Sequence, residues 1–256
     1  MFEYATYPSL KGMPVIVSGG ASGIGEGIVR AFAAQGSKVG FVDIAEEAGN
    51  KLAAELNAAG GTTKFTRCDV TDIAAYQAAI KGFEAAHGPA LALVNNAAND
   101  QRHNIEDISP EAWDRNIAVN LKHAFFAAQA VAPGMIAAKR GSIINFGSVS
   151  WMTNSADLTV YTSAKAAAHG MSRSMSREYG KYGIRTNTIV PGWIMTERQL
   201  KLWATPEAFK MLEQVQPLKG LLYPPDIARM ALFLAADDSQ MISGQDFVVD
   251  GGWAHG

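Results

Sequence analysis

Tyr161 and Lys165 lie four residues apart, and Ser148 stands thirteen positions upstream of the tyrosine. On a helix, that spacing puts the phenol and the ammonium on one face. An ammonium beside a phenol favours the phenolate through its opposite charge. A tyrosine, with a reference pKa of about 10, can then act as a base near neutral pH. Four-residue pairs are common by chance. What gives this one weight is a glycine-rich turn near the start of the chain, in the order a dinucleotide enzyme needs.

That turn runs Gly19-x-x-x-Gly23-x-Gly25, with Ser22 and Ile24 inside it, between a β-branched run at 15–18 and a helical run at 27–35. Glycines there permit a tight bend and bring backbone N–H groups close to a pyrophosphate at the helix N-terminus. The spacing departs from Gly-x-Gly-x-x-Gly, but a merely flexible turn does not explain its position. Asp43 follows 24 residues after Gly19. A carboxylate there accepts hydrogen bonds from adenosine ribose hydroxyls and repels a 2′-phosphate. Neither Gly20 nor Ile44 is basic, so NAD is expected rather than NADP. The plainer alternative for Asp43 is a helix cap or turn residue. Asp69-Val70 and the Asn-Asn-Ala-Ala run at 95–98 close later strands. Asp69 is expected at the adenine and Asn96 at a cofactor ribose, unless each only ties down its loop.

These residues need strands and helices to hold them. Apolar runs at 15–18, 39–43, 64–68, 91–94, 142–146, 185–190 and 246–250 read as strands. Helical patterns at 27–35, 46–59, 73–86 and 113–137 separate them, the last interrupted at Pro133-Gly134. Continuous apolar strands alternating with helices predict right-handed βαβ units. The expected fold is α/β: a single Rossmann-like, doubly wound parallel sheet of about seven strands with helices on both faces. One domain spans 1–256, with an insertion at 192–220 carrying amphipathic runs at 197–203 and 205–212. That excursion is either a substrate lid or an extra packing element.

Composition narrows the function classes. Hydrophobic residues make up 48% and charged residues 18%, which fits a well-cored globular chain. A net charge of −2 offers no broad basic field for nucleic acid or an anionic membrane. Cys68 is the only cysteine, so an intrachain disulfide is impossible and a reducing compartment is compatible. Residues 1–11 lack a signal-peptide layout, and apolar windows break before membrane-spanning length, so a cytoplasmic location is expected. No clustered His, Cys or carboxylate pattern suggests zinc, and metal-free chemistry is expected.

Taken together, these residues resemble the short-chain dehydrogenase/reductase family along nearly the whole chain. The family's glycine motif matches Ser18-Gly19-x-x-x-Gly23-Ile24-Gly25, with serine in the usual threonine place. Its Asp-Val step matches Asp69-Val70, and its Asn-Asn-Ala-Gly matches 95–98 with Ala98 last, after Asn96 and Ala97. Its helix asparagine matches Asn120, its serine Ser148, and its Tyr-x-x-x-Lys matches Tyr161 and Lys165. Pro191-Gly192 matches the step after the sixth strand, with Thr196 placed to reach the cofactor carboxamide and Ile194 a further cofactor-binding candidate. A narrower resemblance, to bacterial sugar 1-dehydrogenases of the D-xylose dehydrogenase type, rests on residues 7–12, 95–103, 144–151, 197–206 and 216–220.

The resemblance implies oxidation of an aldose at C1, such as D-xylose, L-arabinose or D-galactose, to its aldonolactone. Tyr161 takes the hydroxyl proton, Lys165 lowers the phenol pKa and holds the nicotinamide ribose, Ser148 orients the reacting oxygen, and Asn120 holds a relay water. Singly, each has a plain structural reading; as an ordered quartet they point to catalysis. A sugar pocket needs buried polar groups and an aromatic face. Asn99, Gln101, Arg102, Trp151, Asn154, Trp193 and Trp203 are the candidates, along with Ser148 and Tyr161. Rival expectations are a relative acting on a polyol, steroid or 3-oxoacyl thioester, and a non-catalytic NAD-binding regulator. Small residues along 164–175 suit close helix contact, and relatives imply a homotetramer.

Overall fold

Apolar β-branched residues form strands here because both faces of the sheet are covered, leaving no solvent side for polar alternation. The computed structural model describes residues 4–254; residues 1–3 and 255–256 of the expected domain lie outside the described residues. In chain order the elements are β1 (Pro14–Ser18), α1 (Gly23–Ala34), β2 (Lys38–Asp43), α2 (Glu46–Ala58), β3 (Thr62–Arg67) and α3 (Ile73–His87). Next come β4 (Ala92–Asn95), α4 (Pro110–Ile117), α5 (His123–Ala138), β5 (Gly141–Phe146) and α6 (Thr159–Tyr179). The chain continues through β6 (Ile184–Pro191), α7 (Glu197–Trp203), α8 (Pro206–Val215), α9 (Pro224–Ala235) and β7 (Asp246–Val249).

The seven strands of the described residues are all parallel, in the order β3-β2-β1-β4-β5-β6-β7. Successive strand residues point to opposite faces, and the two cores follow that alternation. Val15, Val17, Phe41 and Ile144 pack with Ile28 and Phe32 of α1 and with Ile227 and Leu232 of α9. On the other face, Ile16, Leu93 and Ile143 pack with Ile80 and Phe83 of α3 and with Val131 and Met135 of α5. Strand order reverses between β1 and β4. At such a switch point the loops leaving neighbouring strands diverge and open a crevice at the strands' carboxyl ends.

The break expected at Pro133-Gly134 is not there. Pro133 sits inside α5 on the exposed side, and Gln129, whose carbonyl loses its helical donor, is exposed too. Water can take that carbonyl. The irregularity falls earlier, in a π-helical turn at Ala118–Lys122 that joins α4 to α5 and carries Asn120. The insertion forms α7 and α8, capped by Thr196 and Thr205, whose hydroxyls accept from the N–H groups of Gln199 at 3.3 Å and Ala208 at 3.2 Å.

Candidate active site

The crevice is a continuous cleft of ≈ 1370 Å³ along the carboxyl ends of the strands. The β1–α1 turn forms one wall. Gly19 holds φ at 66°, and a side chain on Gly25 would sit 1.8 Å from the Gly19 oxygen, so the turn closes only with glycine there. The N-terminus of α1, which begins at Gly23, is thereby presented towards the cleft, with Gly19, Ser22 and Ile24 in its lining. Gly23 and Gly25 shape that turn from behind and are not in the lining.

Asp43 ends β2 at the same wall, followed by the exposed Ile44. Its Oδ2 accepts from Ala21 N–H at 3.0 Å and its Oδ1 from Ala45 N–H at 3.0 Å. The plain turn role is therefore real, and each oxygen still has a lone pair for another donor. Asp69 caps its own loop, accepting from Thr71 N–H at 2.9 Å, and lines the cleft with Val70. Asn96 turns inward and donates to the main-chain oxygens of Ser18 and Gly19 at 3.1 and 2.9 Å. It fastens β4 to the glycine turn, with Ala97 and Ala98 beside it in the wall. Pro191, Gly192, Ile194 and Thr196 close the opposite side. Glycine turn, helix N-terminus and carboxylate fit a dinucleotide by their own chemistry.

Deeper in the cleft, Tyr161 and Lys165 share one face of α6, and Ser148 lies beside them, where it acts to lower the phenol's pKa. Ser148 Oγ accepts from Ser150 N–H at 3.2 Å, which fixes its rotamer. Lys165 is buried, and its Nζ donates to the Phe146 oxygen at 3.1 Å. Burial lowers the Lys165 ammonium to about 8. Burial likewise pushes the Tyr161 phenol up to about 12; the neighbouring Ser148 hydroxyl opposes that rise and the Asp100 carboxylate adds to it. The expected low phenol is thus not a property of the chain's own groups, because desolvation outweighs the effect of Ser148.

Other sequence expectations are relocated. The Asn120 carboxamide is committed within the protein: Oδ1 accepts from Asn99 N–H at 2.9 Å, and Nδ2 donates to Asn99 O at 3.0 Å and to Asn116 Oδ1 at 2.8 Å. Its side chain clamps the loop after β4 to the π turn and does not line the cleft. Trp151 and Asn154 are not brought to the cleft either. The Trp151 indole turns to His169, and Asn154 takes a left-handed φ of 54° in the following loop. Asn99, Gln101, Arg102, Trp193 and Trp203 do line it, on the insertion side. The Arg102 guanidinium lies 3.8 Å from the centre of the Trp203 ring, and Trp193 Nε1 donates to Gln199 Oε1 at 3.0 Å. The Trp203 indole N–H is buried without a hydrogen-bond partner among the described residues.

Some structural participants carried little sequence signal. Asp100 reaches α7, accepting from Gln199 Nε2 at 2.7 Å and pairing with Arg198 at 3.3 Å. His123, buried at the start of α5, faces the Ala97 oxygen at 3.1 Å through Nε2. Its position three residues after Asn120 was the available clue, since i and i+3 share a helix face.

With this geometry in hand, comparison with known proteins is direct. A family profile described as enoyl-(acyl carrier protein) reductase matches residues 19–254. The chain is 45% identical over 249 residues to D-xylose 1-dehydrogenase of Caulobacter vibrioides, covering 97% of this chain and 98% of that one. The chain belongs to the short-chain dehydrogenase/reductase family. It is also 41% identical over 247 residues to a probable galactose dehydrogenase of Rhizobium meliloti, covering 96% of each. Among solved structures, a 3-oxoacyl-[acyl-carrier protein] reductase with bound NAD from Brucella melitensis superposes with a TM-score of 0.89 at 31% identity, covering 100% of this chain and 98% of that one. The protein is accordingly an oxidoreductase acting on CH–OH groups, its cofactor is a nicotinamide dinucleotide, and its substrate is a small molecule. Among the described residues no helix is long and apolar enough to cross a membrane.

Proposed function

We propose that this member of the family is an NAD-dependent sugar 1-dehydrogenase that oxidises the anomeric carbon of an aldose to its lactone. The observation that carries this reading is Tyr161, Lys165 and Ser148 gathered in the same cleft that presents Asp43 at its far wall. The two named sugar dehydrogenases among its relatives support the substrate class.

When bound, the oxidised nicotinamide ring accepts a hydride and brings a positive charge into the cleft. Tyr161 takes the proton of the C1 hydroxyl as the C1–H electron pair leaves, so the C–O single bond becomes a carbonyl and the electrons balance. Ser148 donates to the same oxygen and orients it. Lys165, anchored on Phe146 O, supplies positive charge on the phenol side and holds a cofactor ribose hydroxyl. Asn120 acts through Asn99, keeping the cofactor-facing loop in place, and needs no direct contact with the reacting atoms. At the adenosine end, Ser22, Ile24, Asp43 and Ile44 hold the pyrophosphate and ribose, with Asp43 selecting NAD.

On the substrate side, Gln101, Arg102, Trp193 and Trp203 supply polar groups and aromatic faces for a sugar. The Trp203 N–H, without a partner among the described residues, is a donor for a sugar hydroxyl, since a buried donor left alone is costly. The α7–α8 insertion serves as the lid of that pocket.

The test is a panel of free aldoses, polyols, a hydroxysteroid and a 3-hydroxyacyl thioester, followed by NADH absorbance. Aldoses are expected to be turned over best, and preference for another panel member overturns the sugar assignment. Tyr161→Phe is expected to lose most turnover while binding NAD almost normally. Near-wild-type turnover in that variant removes the proton-transfer role, and NAD binding without turnover of any compound leaves a non-catalytic regulator.

A further inference from the structure

Trp151 follows Ser148 closely in sequence yet points away from the cleft, and what it touches explains its position. Its Nε1–H donates to His169 Nε2 at 3.2 Å, and the two rings meet edge to face, 5.0 Å apart at 79°. An indole nitrogen can only donate, so Nε2 of the imidazole must be the acceptor and its single proton sits on Nδ1. Nδ1 lies 3.0 Å from Asp246 Oδ1, a buried oxygen with no well-aligned hydrogen bond, at the first residue of β7. Asp246 Oδ2 is held in turn by Arg173 Nη2 at 2.7 Å, one turn further along α6.

His169 also touches the other flank of Ser148. A side chain on Gly147 would come within 2.5 Å of His169 Nε2, so the imidazole packs directly on the backbone that precedes the serine. Gly147 N–H is tied to Ile189 O of β6 at 2.8 Å. The serine therefore sits on a short turn gripped from both sides by one buried ring. That ring lies one helical turn beyond Lys165 and two beyond Tyr161, on the same stretch of α6. Side chains and turn are thus referenced to one rigid helix.

We propose that His169 is a positioning residue for Ser148: a neutral imidazole that accepts from Trp151, faces Asp246 through Nδ1–H and packs on Gly147. It fixes the turn that places the serine hydroxyl against the Tyr161 phenol. The inference rests on the catalytic reading of Ser148 and Tyr161 given above. A turn loosened by a fraction of an ångström misaligns the serine without emptying the cofactor site, so the loss falls on kcat rather than on cofactor affinity.

Three full-length variants test this. Trp151→Phe removes the indole donor and keeps a ring; His169→Phe removes the acceptor and keeps a ring; His169→Gln offers an amide oxygen near the place of Nε2. The Trp151 indole N–H resonance, assigned by its disappearance in Trp151→Phe, is expected to move in His169→Phe. Both Phe variants are expected to lose about tenfold in kcat with the cofactor dissociation constant within about twofold of wild type, and His169→Gln to recover most of that loss. An unmoved indole resonance, or unchanged kcat in Trp151→Phe, overturns the proposal, even if His169→Phe does not fold. Equal losses in kcat and cofactor affinity, unrelieved by Gln, reduce His169 to a packing residue and overturn it too. Should Tyr161→Phe keep its turnover, the catalytic reading falls by itself, because the indole resonance needs no substrate.

Discussion

The ammonium of Lys165 stands 5.6 Å from the centre of the Tyr161 ring while its hydrogen bond goes to Phe146 O. The pair is close enough to act together, yet burial dominates both members: the ammonium is lowered to about 8 and the phenol raised to about 12. The base form of Tyr161 is therefore scarce at neutral pH and grows as pH rises. Alcohol oxidation is expected to accelerate with pH across the alkaline range, by up to about tenfold per unit below the phenol's effective pKa. Initial rates against pH at saturating substrate check this. A flat profile, or the same slope in Tyr161→Phe, would detach the rate from the phenol.

Asp43 gives the cofactor prediction. Its carboxylate borders the cleft beside Ile44 and Ala45, neither of which is basic. Asp43→Ser combined with Ile44→Arg is expected to move the ratio of kcat/KM for NAD and NADP towards NADP by about tenfold to a hundredfold, the scale of one charged hydrogen bond gained or lost. Serine cannot bridge both Ala21 and Ala45, so the melting temperature is followed alongside. An unmoved ratio in a folded variant would confine Asp43 to its turn.

Asp100 connects the loop after β4 to the insertion, and it also faces the phenol. The Arg198 pair is partly exposed and worth little, whereas the Gln199 hydrogen bond is shorter and better shielded. Asp100→Ala is expected to raise substrate KM about twofold to fivefold as α7 loosens. Because the Asp100 charge raises the phenol, its loss should also shift the alkaline limb of the rate profile to lower pH. A higher KM with an unshifted limb would leave Asp100 as a latch alone.

Much of this was legible in the chain. Buried parallel strands announce themselves as apolar runs, and the glycine turn, Asp43 and the Tyr161–Lys165 spacing lie on local elements whose geometry sequence encodes. What escaped depends on contacts between distant segments. Trp151 reads as an aromatic beside Ser148, but its direction is set by His169 on another element. Asn120 reads as a polar helix residue, and only the π turn shows that its amide is spent on Asn99. Pro133 reads as a breaker because sequence does not reveal that its carbonyl partner faces solvent. The phenol's raised pKa is a burial effect, and burial depth is a property of the assembled cleft.

His123 supplies a stability prediction of defined sign. Its imidazole is enclosed by Tyr76, Ala97 and the start of α5; burial first, then the nearby Lys165 charge, lowers it from 6.5 to about 3, against the opposing pull of the Ala97 oxygen. Between those two values the unfolded chain binds a proton that the folded protein refuses. Folding stability must therefore fall as pH drops through this window, by at most about 1.4 kcal/mol per pH unit from this one group. His123→Leu fills the site with a side chain that does not titrate. It is expected to be less stable at neutral pH, because the Ala97 oxygen loses its donor, but to lose less on acidification. Urea midpoints of both proteins measured across the window give the two slopes. Parallel slopes would show that the proton taken up on acid unfolding belongs to another group.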